Sequence, residues 1–191
     1  MTSRSKKSNA LKIGVDIDGV LMDHTKAKIR KARELGYRIL PHQTHGVTLK
    51  ALLSHPDYKK LQRYIYGKET VRMPAIRSAL KGFRHLAKNA EVYVISRRKT
   101  QKHPRQWFAK KLKTFPQKHI FFVKKDTDKD AVAARLGVEA FIDDRLSVLK
   151  ALPSVRRKFL LDEHGTFTRV PKSITVVRTW DDFLKKVKRF L

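Results

Sequence analysis

A chain of 191 residues that is 41% hydrophobic, with ten Phe and two Trp, can bury one ordinary core and a small appended subdomain. Having no Cys, it holds no disulfide and no thiolate metal site. With no apolar run near the ~20 residues that span a bilayer, and no apolar stretch in its opening MTSRSKKSNALK, it is expected to be soluble and cytoplasmic, with no membrane partner. Its 45 Lys and Arg against 17 Asp and Glu give a formal charge of +28, whose direct physical use is attraction to polyanions; nucleic acid or a ribosomal surface is therefore one expected neighbour, unless the excess serves solubility alone.

In chain order, residues 1–10 read as a basic tail, and LKIGVD (11–16) as a buried strand. Residues 24–72 then hold three helix-like pieces and no strand pattern: 24–35 ending at Gly36, roughly 47–54, and 56–66 ending at Gly67. With Leu49, Leu52, Leu53, Leu61, Tyr64 and Ile65 to bury, this insertion is expected to form a small helical cap over the edge of the sheet. Residues 11–23 and 73–191 are expected to form the core domain. In it, Pro74 reads as the first turn of a helix carrying Ile76, Leu80, Phe83 and Ala87. Further strands are expected at 91–95 (EVYVI), 119–123 (HIFFV), 139–142 (EAFI), 157–161 (RKFLL) and 174–178 (ITVVR). A helix over 129–136 stops at Gly137, and Trp180, Phe183, Leu184, Val187 and Leu191 mark a final amphipathic one. The alternation predicts an α/β fold, a mainly parallel sheet between helices.

Ligands of open parallel sheets bind beyond the carboxyl ends of the strands. The sequence places polar residues there three times: Asp16 and Asp18 after KIGV, Ser96 after VYVI, and Asp143 with Asp144 after AFI. Each alone reads as a turn or helix cap. Together, on three strands of one sheet, they point to a site. Carboxylates at i and i+2 of an extended chain lie about 6–7 Å apart and repel by roughly 2–3 kcal/mol at an effective dielectric near 20. Such a cluster needs a divalent cation or a lysine, and an oxygen-only ligand set without Cys suits Mg2+.

These residues, in the order VDIDGVL, VYVISRR and DTDKDAVAARLGVEAFIDDR, resemble the haloacid dehalogenase (HAD) superfamily of phosphohydrolases over about residues 10–150. The DIDGVL form and the modest helical insertion look most like its soluble 5′-nucleotidase branch. The resemblance implies a Rossmann-like core and a magnesium-dependent phosphomonoesterase acting on a small phosphorylated substrate such as a nucleotide. It implies Asp16 as the nucleophile forming an aspartyl-phosphate, and Asp18 as the group that protonates the leaving oxygen and then activates water. Asp18 also speaks for ester hydrolysis, because dehalogenases and ATP-driven pumps typically lack an aspartate there. Ser96 would hydrogen-bond a phosphoryl oxygen, and Gly19 would let the backbone pass close to the phosphate. Asp143, with Asp144 assisting, would hold Mg2+ beside the Asp16 carboxylate and the Asp18 backbone carbonyl. Lys129, opening the helix before FIDD, is the expected phosphate-binding lysine, with Lys124 and Lys125 as alternatives.

The remaining signals are local. Asp23 reads as a helix cap. Residues 92–125 contain eleven Lys or Arg and no acid. Within that run Arg97 and Arg98 could contact a second phosphate or a polynucleotide backbone, with Trp107 either stacking on bases or packing the helix on the sheet. A nucleic-acid-binding or ribosome-associated protein on the same scaffold, or a phosphatase of polynucleotide ends, is the alternative expectation.

Overall fold

The computed structural model describes residues 10–191. Six strands, β1 (Lys12–Val15), β2 (Glu91–Arg97), β3 (Ile120–Val123), β4 (Ala140–Asp143), β5 (Arg157–Leu161) and β6 (Ile174–Val177), form one sheet in the order β3-β2-β1-β4-β5-β6. Every pairing is parallel, with Val15 opposite both Val94 and Ile142. Parallel pairing requires crossovers, and those up to β5 are helical, through α4 (Ala79–Asn89), α5 (Lys102–Lys111), α6 (Asp128–Leu136) and α7 (Leu146–Lys150); residues 162–173 join β5 to β6 without a helix, and α8 (Trp180–Val187) closes the chain. Alternation along the strands feeds both faces. Val92 and Val94 join a cluster with Phe83, Trp107, Phe108 and Trp180, whereas Tyr93 and Ile95 join Phe141, Val148 and Leu149 on the opposite face. Trp107 is fully buried, with its indole N–H donated to the Met73 carbonyl, so it packs and is not offered to a base.

Between β1 and β2 the chain adds α1 (Thr25–Glu34), α2 (Gly46–Leu52) and α3 (His55–Tyr66). Ser54 caps α3 by accepting from the Asp57 N–H, with Pro56 in the first turn. Gly137 ends α6 at φ 70°, a left-handed position that costs glycine little. Among the described residues no helix is long and apolar enough to cross a membrane.

The helix expected to begin at Pro74 begins at Ala79 instead. Residues 74–76 are drawn out against the loop after β1: the Pro74 carbonyl accepts from the Asp23 N–H (2.9 Å), and the Ile76 N–H donates to the Leu21 carbonyl (3.0 Å). These tertiary hydrogen bonds override the local preference of proline for a first turn. They also pin the segment that carries Asp18.

Candidate active site

The loop after β1 is a tight turn in which the Leu21 and Met22 N–H groups both donate to the Ile17 carbonyl. It places Asp16 at the end of β1, beside the end of β4, to which its own N–H is bonded (Asp16 N to Ile142 O, 3.0 Å). Carboxylate oxygens of Asp16, Asp143 and Asp144 gather within 4.8 Å of one another. Lys129, from the first turn of α6 and only 1% exposed, reaches into this group: its Nζ donates to Asp143 Oδ2 at 2.7 Å and lies 3.0 Å from Asp16 Oδ1. The second contact is off the line a hydrogen bond needs, so Asp16 Oδ1 has a nearby charge and no directed donor. Asp144 Oδ1 is likewise buried and without a partner. Lys124 and Lys125 are exposed.

Lys129 therefore pairs with two of the three carboxylates, and Asp144 feels Lys28 and Arg145 only through space. Burial, reinforced by the Asp16 charge and opposed by Lys129, pushes the Asp143 carboxyl up to about 6. Burial together with Asp143 and Asp16 pushes Asp144 well above the ordinary carboxylate range. Lys129 is raised in turn, because Asp143 and Asp16 outweigh its own burial. A deficit of positive charge, unpartnered buried oxygens and an all-oxygen donor set fit a hard divalent cation such as Mg2+.

Asp18 stands outside this cluster. Both its oxygens are gripped by Arg98: Nε donates to Oδ2 at 2.7 Å and Nη2 to Oδ1. His24 Nε2 is a further 2.7 Å from Oδ1. Burial pushes the Asp18 carboxyl up, but Arg98 and His24 outweigh it and hold it well below the usual range. Arg98 is itself 6% exposed, donates to Thr70 Oγ1 (3.0 Å), and lies over the Tyr66 ring with its guanidinium carbon 4.7 Å from the centroid. It is a buried bolt between the insertion and Asp18, not an outward contact for a polynucleotide. Its neighbour Arg97 is exposed and pairs with Asp126 (3.3 Å).

Ser96 is 1% exposed, two residues beyond the Val94 that pairs with Val15. Gly19 sits at φ 75°, where a Cβ would come within 2.2 Å of an Asp144 carboxylate oxygen. Its N–H is already given to the Met22 carbonyl (3.1 Å), so what demands glycine here is the packing of the turn on Asp144. Asp23 does cap, accepting from the Thr25 N–H at 2.8 Å.

A cleft of about 60 Å3 opens beside Gly19 and Asp144, between residues 22–28 and 44–45 on one side and 161–166 on the other. Sequence reasoning passed over His24, Lys28 and the 161–166 loop. Asp162 follows FLL at the carboxyl end of β5, so the strand-end rule that found Asp143 could have found it. His24 and Lys28 carry no pattern of their own.

The family model described as 5′ nucleotidase, deoxy (Pyrimidine), cytosolic type C protein matches residues 9–187. No curated protein matches. Among solved structures, a haloacid dehalogenase-like hydrolase of Streptococcus pneumoniae is similar at 14% identity and TM-score 0.63, covering 96% of this chain and 99% of that one. A HAD hydrolase of Bacillus subtilis, described as bound to magnesium, is similar at 12% identity and TM-score 0.63, covering 94% and 99%. A HAD family hydrolase of Deinococcus radiodurans, with bound phosphate and sodium, is similar at 14% identity and TM-score 0.60, covering 94% and 96%. At these identities the likeness shows the fold.

Proposed function

The chain belongs to the cytosolic type C 5′ nucleotidase family of HAD-like hydrolases, a phosphatase family, and from that membership we propose that it is a magnesium-dependent phosphomonoesterase working through an aspartyl-phosphate on Asp16. The observation that carries this reading is the Asp16, Asp143 and Asp144 cluster, in which Lys129 pairs with Asp16 and Asp143 and no cation pairs directly with Asp144 among the described residues. Asp16, Asp143 and Asp144 would hold Mg2+, with the Asp18 carbonyl. Bound there, the ion would offset the carboxylate charge and polarise the phosphoryl group.

Lys129 Nζ lies 3.0 Å from Asp16 Oδ1 and lends positive charge beside it, while Asp16 attacks phosphorus in line and the bond to the alcohol oxygen breaks. Ser96 donates a hydrogen bond to a phosphoryl oxygen, and Lys129 adds positive charge where negative charge builds up. Asp18 delivers a proton to the departing alcohol, then takes one from the water that attacks the aspartyl-phosphate. As it stands Asp18 is ionised and gripped by Arg98 and His24, which suits it to the second step. For the first step a proton must be loaded onto it as substrate enters. Residues 24–72 act as a cap, and Arg98 couples that cap to Asp18 through Thr70 and Tyr66.

Phosphate release from phenyl phosphate tests this directly. Turnover should require Mg2+ and be abolished by Asp16→Asn with the fold intact. A folded, magnesium-saturated protein inert on a broad panel of phosphate esters would contradict it.

A further inference from the structure

The charge of the chain is spread unevenly, and the fold gathers the excess on one helical face. Residues 73–125 hold fifteen Lys or Arg and one acid, whereas residues 126–191 hold fourteen Lys or Arg and ten acids. That one acid, Glu91, is taken up by Lys12 and the Tyr93 hydroxyl. Helices α4 and α5, which flank β2 in the chain, carry no acid at all. They pack on one face of the sheet through Phe83, whose ring lies 6.4 Å from Phe108 and 4.8 Å from Phe115, and Arg84 donates to the Lys111 carbonyl at the end of α5 (3.0 Å).

Lys81, Arg84 and Lys88 follow one another along the exposed side of α4, and Lys102, Lys110 and Lys113 are exposed on α5 and just beyond it. None of the six forms an ion pair among the described residues, whereas in the insertion Lys31 pairs with Glu34 and Lys60 with Asp57. Of the acids on the neighbouring α8, Asp181 is bonded to Ser78 Oγ (3.0 Å) and Asp182 pairs with Lys186, so neither pairs with the six. Like charges three or four residues apart destabilise a helix, and a bound polyanion would relieve that cost.

The face also narrows the choice of polyanion. Helices packed through side chains of this size lie about 10 Å apart, so the face presents two rows of positive charge, as a duplex presents two backbones across a groove. Phe83, Trp107, Phe108 and Phe115 are buried, and neither helix exposes a Phe, Tyr or Trp on which an unpaired base could stack.

We propose that the α4–α5 face is a docking surface for double-stranded nucleic acid, held through its phosphates without reading of the bases. The face runs along the flank of the sheet, whereas Asp16 lies at the end of β1, so the duplex is a partner and not the ester that is cleaved.

The test is binding of the full chain to a fluorescent duplex of about 20 base pairs, followed by anisotropy over a salt series, with DNA and RNA of one sequence as parallel arms. A DNA or RNA duplex should bind with Kd on the order of 1–100 μM at physiological salt, and affinity should fall steeply as salt rises. Replacing Lys81, Lys88, Lys102 and Lys110 with Gln should lower the slope of log affinity against log salt by about 2 to 4 and leave any turnover of phenyl phosphate unchanged. Replacing the exposed Lys59, Lys68, Lys150 and Lys172 with Gln removes the same charge from other parts of the surface and should change the slope by less than about 1. A single strand of equal length should bind about 3-fold more weakly or worse. Failure of both duplexes to bind at about 50 mM salt, equal losses from the two sets of replacements, or a single strand or polyglutamate bound as tightly as the duplex would overturn the assignment. These binding results stand whether or not phenyl phosphate is hydrolysed, so the docking surface and the proposed reaction can fail separately.

Discussion

Asp16 and Asp18 lie two residues apart in one turn, and their surroundings are opposite. Around Asp16 three carboxylates gather and only two of them pair with a lysine, Asp143 and Asp144 are driven toward neutrality, and buried oxygens lack donors. Around Asp18 one carboxylate meets a guanidinium and an imidazole, and is driven the other way. The first half is short of positive charge and the second is saturated with it. The chain leaves the strand at Val15 and turns at Ile17, so the two carboxylates of a single Asp-x-Asp meet opposite surroundings, which suits them to the different roles proposed for them.

The largest effects should fall on turnover. Asp16→Asn should lower kcat by about 1,000-fold or more, and Asp18→Asn by about 100- to 10,000-fold, measured as phosphate release from phenyl phosphate. Equal and small losses would erase the distinction between the halves.

Stability should then separate them by sign. Arg98→Ala strands Asp18, whose side chain is 16% exposed, and should destabilise by about 2–4 kcal/mol in urea unfolding, with Arg98→Lys recovering only part because a lysine cannot reproduce the two-pronged grip. Asp144→Asn relieves repulsion, and should raise the stability of the magnesium-free protein by up to about 1 kcal/mol while removing most of the response to Mg2+. A loss at Asp144 as large as that at Arg98 would show that the cluster is already balanced.

The smallest effect is a pH dependence. Asp143 has a folded pKa of about 6, above its unfolded value, so the magnesium-free folded state binds the extra proton and gains stability as pH falls from 6 towards 4. Asp18 is shifted down and costs stability only at lower pH, as it protonates. Mg2+ competes with the proton on Asp143, so the rise in Tm that it causes should shrink below about pH 6. A rise that stays constant from pH 7.5 to 5 would place the ion elsewhere.

Much of this was readable in the residues, for physical reasons. Buried parallel strands write themselves as short apolar runs, so the six strands and the polar residues at their ends were legible within a residue or two. Lys129 is singled out only through the family resemblance, as the lysine opening the helix before FIDD, since composition alone does not tell it from Lys124 and Lys125. What escaped depends on contacts between distant segments. Pro74 has the local look of a helix start, yet residues 74–76 are taken by hydrogen bonds to residues 21–23. Arg98 sits in a run of eleven basic residues and shares their composition, and only the fold reveals that its partner is Asp18. The cleft is assembled from α1 and the loop after β5, far apart in the chain, and neither carries a motif.

The most direct test of the central claim is chemical trapping of the enzyme during turnover. Acid quenching with a labelled phosphate ester and Mg2+, followed by peptide mass spectrometry, should find the phosphoryl group on the peptide containing Asp16, labile to hydroxylamine and missing from Asp16→Asn. A phosphoryl group on any other residue, or undiminished turnover by Asp16→Asn, would contradict it.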